Sequence, residues 1–184
     1  MSDPVKAALV EHLLAHAVKR GDFTLKSGRR SSWFIDAKQT TCRPEGMLLV
    51  ADAALAVIPD DVTALGGLTM GADAMAFGVA AVAATRGRML RSFSVRKEEK
   101  GHGAGGRIAG ALEPGDRVAI TEDAVTRGLS MLEAVRAVRE VGAEPVLLVP
   151  LVDRGGTVVE LVAAEGIPVR PLVTAPDLGF DYEG

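Results

Sequence analysis

Two adjacent carboxylates, Glu122 and Asp123, stand between an apolar run (Val118, Ala119, Ile120) and a short polar segment holding Thr126, Arg127, Gly128, Leu129 and Ser130. A helix-patterned stretch follows at 131–141. This order predicts a strand that ends in the two acids, a turn and a helix. Carboxylates accept hydrogen bonds from sugar hydroxyls. The N–H groups that open a helix, with nearby hydroxyls, suit a phosphate, because the helix dipole favours an anion there. A phosphorylated ribose needs both features at this separation. The segment is not a Walker loop, since the glycines and the Gly-Lys-Ser/Thr ending are missing. Taken alone, it also fits an ordinary strand, turn and helix with a solvated acidic edge.

Other stretches carry charge where chemistry could use it. Residues 96–107 (Arg96, Lys97, Glu98, Glu99, Lys100, Gly101, His102 and on to Arg107) are charged, rich in glycine and almost without apolar side chains. Such a segment cannot bury itself, so a mobile loop is expected. Residues 23–36 read as a β-hairpin around Ser27-Gly28, with Lys26, Arg29 and Arg30 beside Trp33 and Phe34. This is an anion site next to a flat aromatic surface, or a packed hairpin with solvated cations. Arg154 follows a Val/Leu-rich run at 146–152, and an Arg fork suits a carboxylate. Gly66, Gly67 and Gly71 follow a short strand at 62–65, where glycine lets backbone approach an anion; tight strand-to-helix packing explains them equally well. His12 and His16 are four apart, but nothing is arranged to complete a metal site, so they read as surface or boundary residues.

The elements that position these groups alternate. A helix opens at Asp3-Pro4 and runs through 19, stopped by Gly21; further helices are expected at 45–58, through 84, and at 157–165. Strands are expected at 62–65, 89–95, 118–121, 146–152 and 167–173. Alternation of this kind predicts an α/β protein with a largely parallel sheet covered on both faces and ligand loops at the carboxyl ends of its strands. The 184 residues suit one domain. With 21 Lys+Arg against 24 Asp+Glu and no long basic block, nucleic acid is a poor partner. A single cysteine, Cys42, excludes an internal disulfide and a Cys-based zinc site. Residues 1–6 lack a signal-peptide layout and no apolar run reaches spanning length, so no membrane role and a cytoplasmic location are expected.

The motifs together resemble one family. The acids and the Thr/Gly/Ser loop are similar to the phosphoribosyl pyrophosphate (PRPP) signature of type I phosphoribosyltransferases. The hairpin (Phe23, Leu25, Lys26, Ser27, Gly28, Ser31, Trp33, Phe34) and above all the run Arg96-Lys97-Glu98 … Lys100 … His102-Gly103 resemble the orotate phosphoribosyltransferases. The resemblance spans Lys26 to about Arg154. It implies the type I phosphoribosyltransferase fold as one domain over 1–184: a twisted, mostly parallel sheet flanked by helices, a small hood from about 1–40 plus the C-terminal end, and a mobile catalytic loop at 96–107. It implies transfer of phosphoribosyl from PRPP to orotate. PRPP would be bound by Lys26, Arg96, Lys97, Lys100, His102, Glu122, Asp123, Ala124, Val125, Thr126, Arg127, Gly128, Leu129 and Ser130, with Lys100, His102 and Asp123 catalytic. Orotate would meet Lys26, Phe34, Thr126 and Arg154. Magnesium would ride mainly on PRPP and water, with no direct protein ligand, and a homodimer would place each loop over its neighbour's site. Met70, where some members have Lys, and Arg127 and Leu129, where small residues are common, depart from the pattern. The C-terminus is also shorter than in many members, which affects the expected hood contacts. The resemblance leaves two rivals: transfer to another base, and a PRPP-sensing regulator without turnover. The basic run argues against the second, because a sensor has no leaving group to neutralise.

Overall fold

The computed structural model describes residues 3–24, 28, 30–99 and 106–183; Lys26, Lys100 and His102 lie outside them. Helix α1 (Pro4–His16) begins as expected: Pro4 takes the first position and the Asp3 side chain accepts from Val5 N at 3.0 Å. It ends three residues earlier than its apolar spacing suggests. Val18 pairs with Ile35 instead, starting strand β1 (Val18–Thr24) against β2 (Arg30–Ile35). Long-range pairing overrides local periodicity here, and Gly21 lies inside the strand rather than stopping a helix. A short helix α2 (Lys38–Thr41), which no periodicity announced, leads into α3 (Pro44–Val57).

The main sheet has the order β5-β4-β3-β6-β7-β8. Strands β3 (Ala64–Leu68), β4 (Arg91–Val95), β6 (Arg117–Val125), β7 (Glu144–Asp153) and β8 (Val173–Thr174) are parallel, and β5 (Ile108–Gly110) is an antiparallel edge. Helices α4 (Asp73–Thr85), α5 (Leu129–Glu140) and α6 (Val158–Val162) complete the crossovers. Alternate residues of β6 point to opposite faces. Val118 and Ile120 pack with Met131, Val135 and Val138 of α5, while Ala119 joins Leu9, Val50, Met75 and Val79 from α1, α3 and α4. Trp33 and Ile35 of the hairpin belong to that second cluster, so the hairpin is built onto the α1 face.

Some boundaries differ from expectation. Strand β6 runs through the acid pair to Val125, because β7 continues to pair with it as far as Val125↔Asp153. The expected strand at 167–173 shrinks to Val173–Thr174 plus one bridge, Leu148↔Val169. Pro168 and Pro171 have no N–H to give a ladder. The expected helix at 157–165 is the short α6 followed by a 3-10 turn. Among the described residues no helix is long and apolar enough to cross a membrane.

Gly66 and Gly67 sit inside β3, not in the loop after it. A Cβ on Gly67 would strike the Thr121 carbonyl oxygen and come within 2.7 Å of Ala72 Cβ; one on Gly66 would come within 2.7 Å of the Phe93 ring. These glycines serve packing, and the turn after β3 reduces to residues 69–72. Gly67→Ala is therefore expected to destabilise the fold by about 1–3 kcal/mol, read as a lower thermal midpoint and a lower urea midpoint. An unchanged midpoint would show that β3 has room for a side chain.

Candidate functional site

The carboxyl ends of β3, β4, β6 and β7 bring four segments to one edge: the turn at 69–72, the start of the basic run, the acid pair with its loop, and Arg154. Backbone bonds tie them. Thr69 N donates to Val95 O at 2.8 Å, and Arg154 N donates to Val125 O at 2.8 Å. Asp73 fastens the turn further, accepting from Thr69 Oγ1 at 2.7 Å and from Ser94 Oγ at 2.6 Å. Gly71 lies against the acids: a Cβ there would collide with Glu122 Oε1 and come within 2.9 Å of Asp123 Oδ1.

The two acids differ in environment. Glu122 is buried and Asp123 is half-buried. Burial, then the charge of Asp123, pushes the Glu122 carboxyl up to about 8. Asp123 Oδ2 forms an ion pair with Lys38 Nζ, and its Oδ1 accepts from Ala124 N at 2.8 Å. Burial works against the Lys38 ammonium, but the hydrogen bond and charge of Asp123 outweigh it and raise Lys38. At neutral pH the pair thus offers one O–H donor, on Glu122, and one carboxylate with a lone pair to spare on each oxygen. That set can hold a diol, one hydroxyl accepting and both donating.

Beyond the acids the chain turns at Thr126 and Arg127, and Gly128 takes φ +78 before α5 begins at Leu129. The first N–H groups of α5 have no helical carbonyl to meet, which leaves them for an anion. Of the expected PRPP residues, Ala124 and Val125 lie in β6 with their side chains in the two cores, so only their backbone faces the site. Arg127 and Leu129 are exposed, and Ser130 is partly buried in the first turn of α5.

Arg154 is buried between β7 and the hairpin. Its Nη2 donates to Ser31 Oγ at 2.9 Å, to Trp33 O at 2.8 Å and to the Glu183 carboxylate. Its guanidinium lies 4.5 Å from the Trp33 ring centroid, and Phe180 stacks on that ring at 4.4 Å. Nε of Arg154 is buried without an acceptor among the described residues. Phe34 is on the other side of β2, 40% exposed and 5.7 Å from Phe23, so strand alternation separates it from Arg154 and puts Trp33 there instead. In the basic run, Arg96 and Arg107 form the base: Arg96 N donates to Arg107 O at 2.7 Å, and Arg96 Nη1 reaches Ile108 O at 3.3 Å. Lys97 is exposed. Arg96 is thus tied to the residues on the far side of the run. Nothing in the sequence signals Lys38 or Glu183, and Ser31 stands in the hairpin motif without its partner; their partners lie 85, 29 and 123 residues away. His12 meets Thr40 Oγ1 at 3.2 Å and lies near Glu45, away from this edge.

Glu122 keeps its proton in the folded chain to about pH 8 but loses it near 4.5 when unfolded. Between these values the folded state binds more protons than the unfolded one, so stability falls as pH rises, by up to about 1.4 kcal/mol per unit. The contribution is whole below the lower value and lost above the upper one. Glu122→Gln should flatten the fall in unfolding free energy between pH 5 and pH 8, measured by urea titration. Equal slopes in the two proteins would show that Glu122 ionises as in water.

Known proteins resemble the chain over most of its length. No family model matches the chain. An orotate phosphoribosyltransferase of Streptomyces avermitilis is 41% identical over 181 residues, covering 97% of this chain and 100% of the relative. One from Aquifex aeolicus is 42% identical over 157 residues, covering 85% and 86%. The crystal structure of the Mycobacterium tuberculosis orotate phosphoribosyltransferase in complex with PRPP superposes with a TM-score of 0.79 at 33% identity, covering 96% of this chain and 100% of that one. With an edge built from an acid pair, a turn that opens a helix and a buried arginine, and with relatives this similar over most of their length, the chain belongs to the orotate phosphoribosyltransferase family.

Proposed function

We infer that the chain transfers the 5-phosphoribosyl group of PRPP to orotate, giving orotidine 5'-monophosphate and pyrophosphate in the synthesis of UMP. The observation that carries this is the joining of Glu122 and Asp123 to Arg154 across adjacent strand ends, through Arg154 N on Val125 O. The bond from C1' to pyrophosphate breaks as the bond from C1' to the orotate ring nitrogen forms, and the sugar becomes electron-poor between the two events. The α5 N-terminus with Thr126 and Ser130 holds the 5'-phosphate. Glu122 and Asp123 hold the ribose hydroxyls, with the Asp123 charge close to the developing cation. The turn at 69–72 presents backbone to the pyrophosphate.

Arg154 takes the orotate carboxylate. Its guanidinium already meets a carboxylate, that of Glu183, whose place the carboxylate of orotate takes. Lys26, Phe34 and Thr126 border the ring, Phe34 only if the hairpin presents its outer face. Lys97, Lys100 and His102, with Arg96 at the stem, neutralise the departing pyrophosphate and exclude water. Magnesium belongs to this proposal as a partner of PRPP oxygens and water, keeping part of its hydration. Asp123 is paired with Lys38 and Glu122 is held protonated, so this donor set makes no chelate by itself. The proposal also includes a cytoplasmic homodimer in which the run 96–107 of each protomer closes over its partner's site.

Two measurements test the reading. Orotate absorbance should fall when protein, PRPP, magnesium and orotate are mixed, whereas uracil, lacking the carboxylate, should be used with kcat/KM at least about a hundredfold lower. Comparable rates with uracil, or turnover of a purine base alone, would overturn the assignment. For the dimer, Lys100→Ala and Asp123→Asn are each expected to be nearly inactive. After subunit exchange at equal concentrations about half of all dimers are mixed by random pairing, each with one intact site. Activity should return to about a quarter of wild type per site if sites act independently. Confirmed exchange without recovery would place the run over its own chain's site.

A further inference from the structure

Lys38 is the first residue of a four-residue helix that neither the anion loop nor the basic run includes. That helix is firmly seated. Thr40 and Thr41 are buried, Thr40 Oγ1 meets His12 Nδ1, and Gly46 of α3 lies so close to the Thr40 carbonyl that a Cβ there would collide with it. The Lys38 stem therefore starts from a fixed point. Its ammonium reaches Asp123 Oδ2, while backbone N–H of Ala124 takes Oδ1, so both ends of the carboxylate are held and its plane is set. Asp36 and Glu122 are the other charged or titratable neighbours of the ammonium. The Lys38 side chain is still 40% exposed, so the pair lies open to a ligand rather than sealed in the core.

We propose that Lys38 is a positioning residue of the PRPP site: it orients the Asp123 carboxylate for the ribose hydroxyls and cancels its charge toward the polyanionic donor. This rests on the reading of the acid pair as the ribose site. A carboxylate with one donor on each oxygen still has a lone pair on each for a hydroxyl, so Lys38 need not leave when the sugar binds. Without Lys38 the carboxylate can rotate, and an uncompensated negative charge faces a ligand that is itself strongly negative. Arginine keeps the charge; methionine keeps the reach of the stem and loses the charge.

The test is a double-mutant cycle on PRPP affinity, measured calorimetrically with magnesium present, in wild type, Lys38→Met, Asp123→Asn and the double variant. Thermal midpoints and the orotate KM are read alongside. Lys38→Met should weaken PRPP binding tenfold or more, with the orotate KM within about twofold and the midpoint close to wild type. Lys38→Arg should recover most of the loss. The double variant should bind PRPP no more weakly than Asp123→Asn alone, because Lys38 acts through Asp123. PRPP affinity within twofold of wild type in Lys38→Met, or fully additive losses in the cycle, would overturn the role of Lys38 while leaving the activity standing. A wild-type protein that binds no PRPP would overturn the activity and this role together.

Discussion

Two carboxylates side by side in a half-buried site repel each other, and ionising both is costly. At a separation of 4 Å their mutual repulsion is about 4 kcal/mol at an effective dielectric of 20. The structure resolves this by treating them unequally. Gly71 lets the turn at 69–72 press against Glu122, burying it and holding its proton, while Asp123 is left at the opening with Lys38 on one oxygen. The acid pair with its lysine is then nearly neutral. Much of the surrounding architecture follows from that arrangement: glycines in β3 that bring the turn close, Asp73 that fastens it, and a short helix whose only charged residue at its start reaches the edge.

Legibility in the sequence followed the range of the interaction. The Asp3-Pro4 start, the order of β6, turn and α5, and the alternation behind the parallel sheet are patterns of neighbouring residues, and each is present in the fold. Boundaries failed where a partner strand decided them. Val18 fits a helical stripe, yet Ile35 claims it; Glu122 and Asp123 look like a loop edge, yet β7 pairs past them to Asp153. The candidate site divides the same way. The shared edge of the acids, the turn after them and Arg154 could be read because each follows an apolar strand. The contacts of Lys38, Ser31 and Glu183 could not, since a single polar residue carries no sign of a partner far along the chain. The glycines at 66 and 67 were ambiguous on paper between anion contact and packing, and only the distances to Thr121 and Phe93 separate the two.

Arg154 repeats the logic of the acid pair with the signs reversed. A guanidinium buried at the end of β7 is costly unless it is paired. The hairpin supplies a hydroxyl and a carbonyl, the C-terminal segment supplies the Glu183 carboxylate, and Trp33 supplies a π face. Phe180 stacking on Trp33 joins the same set, so the hairpin and the chain's last residues are held together over one cation. This explains why the hairpin shares a core with α1 and the sheet rather than forming its own: its inward residues, Ser31, Trp33 and Ile35, alternate toward the body, and the polar one among them serves Arg154.

The same alternation bears on how an aromatic acceptor can be recognised. A ring whose carboxylate sits on Arg154 lies on the inner side of β2, next to Trp33, whereas Phe34 packs with Phe23 on the outer side. One strand cannot present adjacent residues to one small ligand unless the ligand reaches past its edge. The inner surface is therefore built to hold charge, through Arg154 and the hairpin backbone, and the outer surface to offer an aromatic face. A ligand that meets both Arg154 and Phe34 must therefore extend beyond the edge of β2.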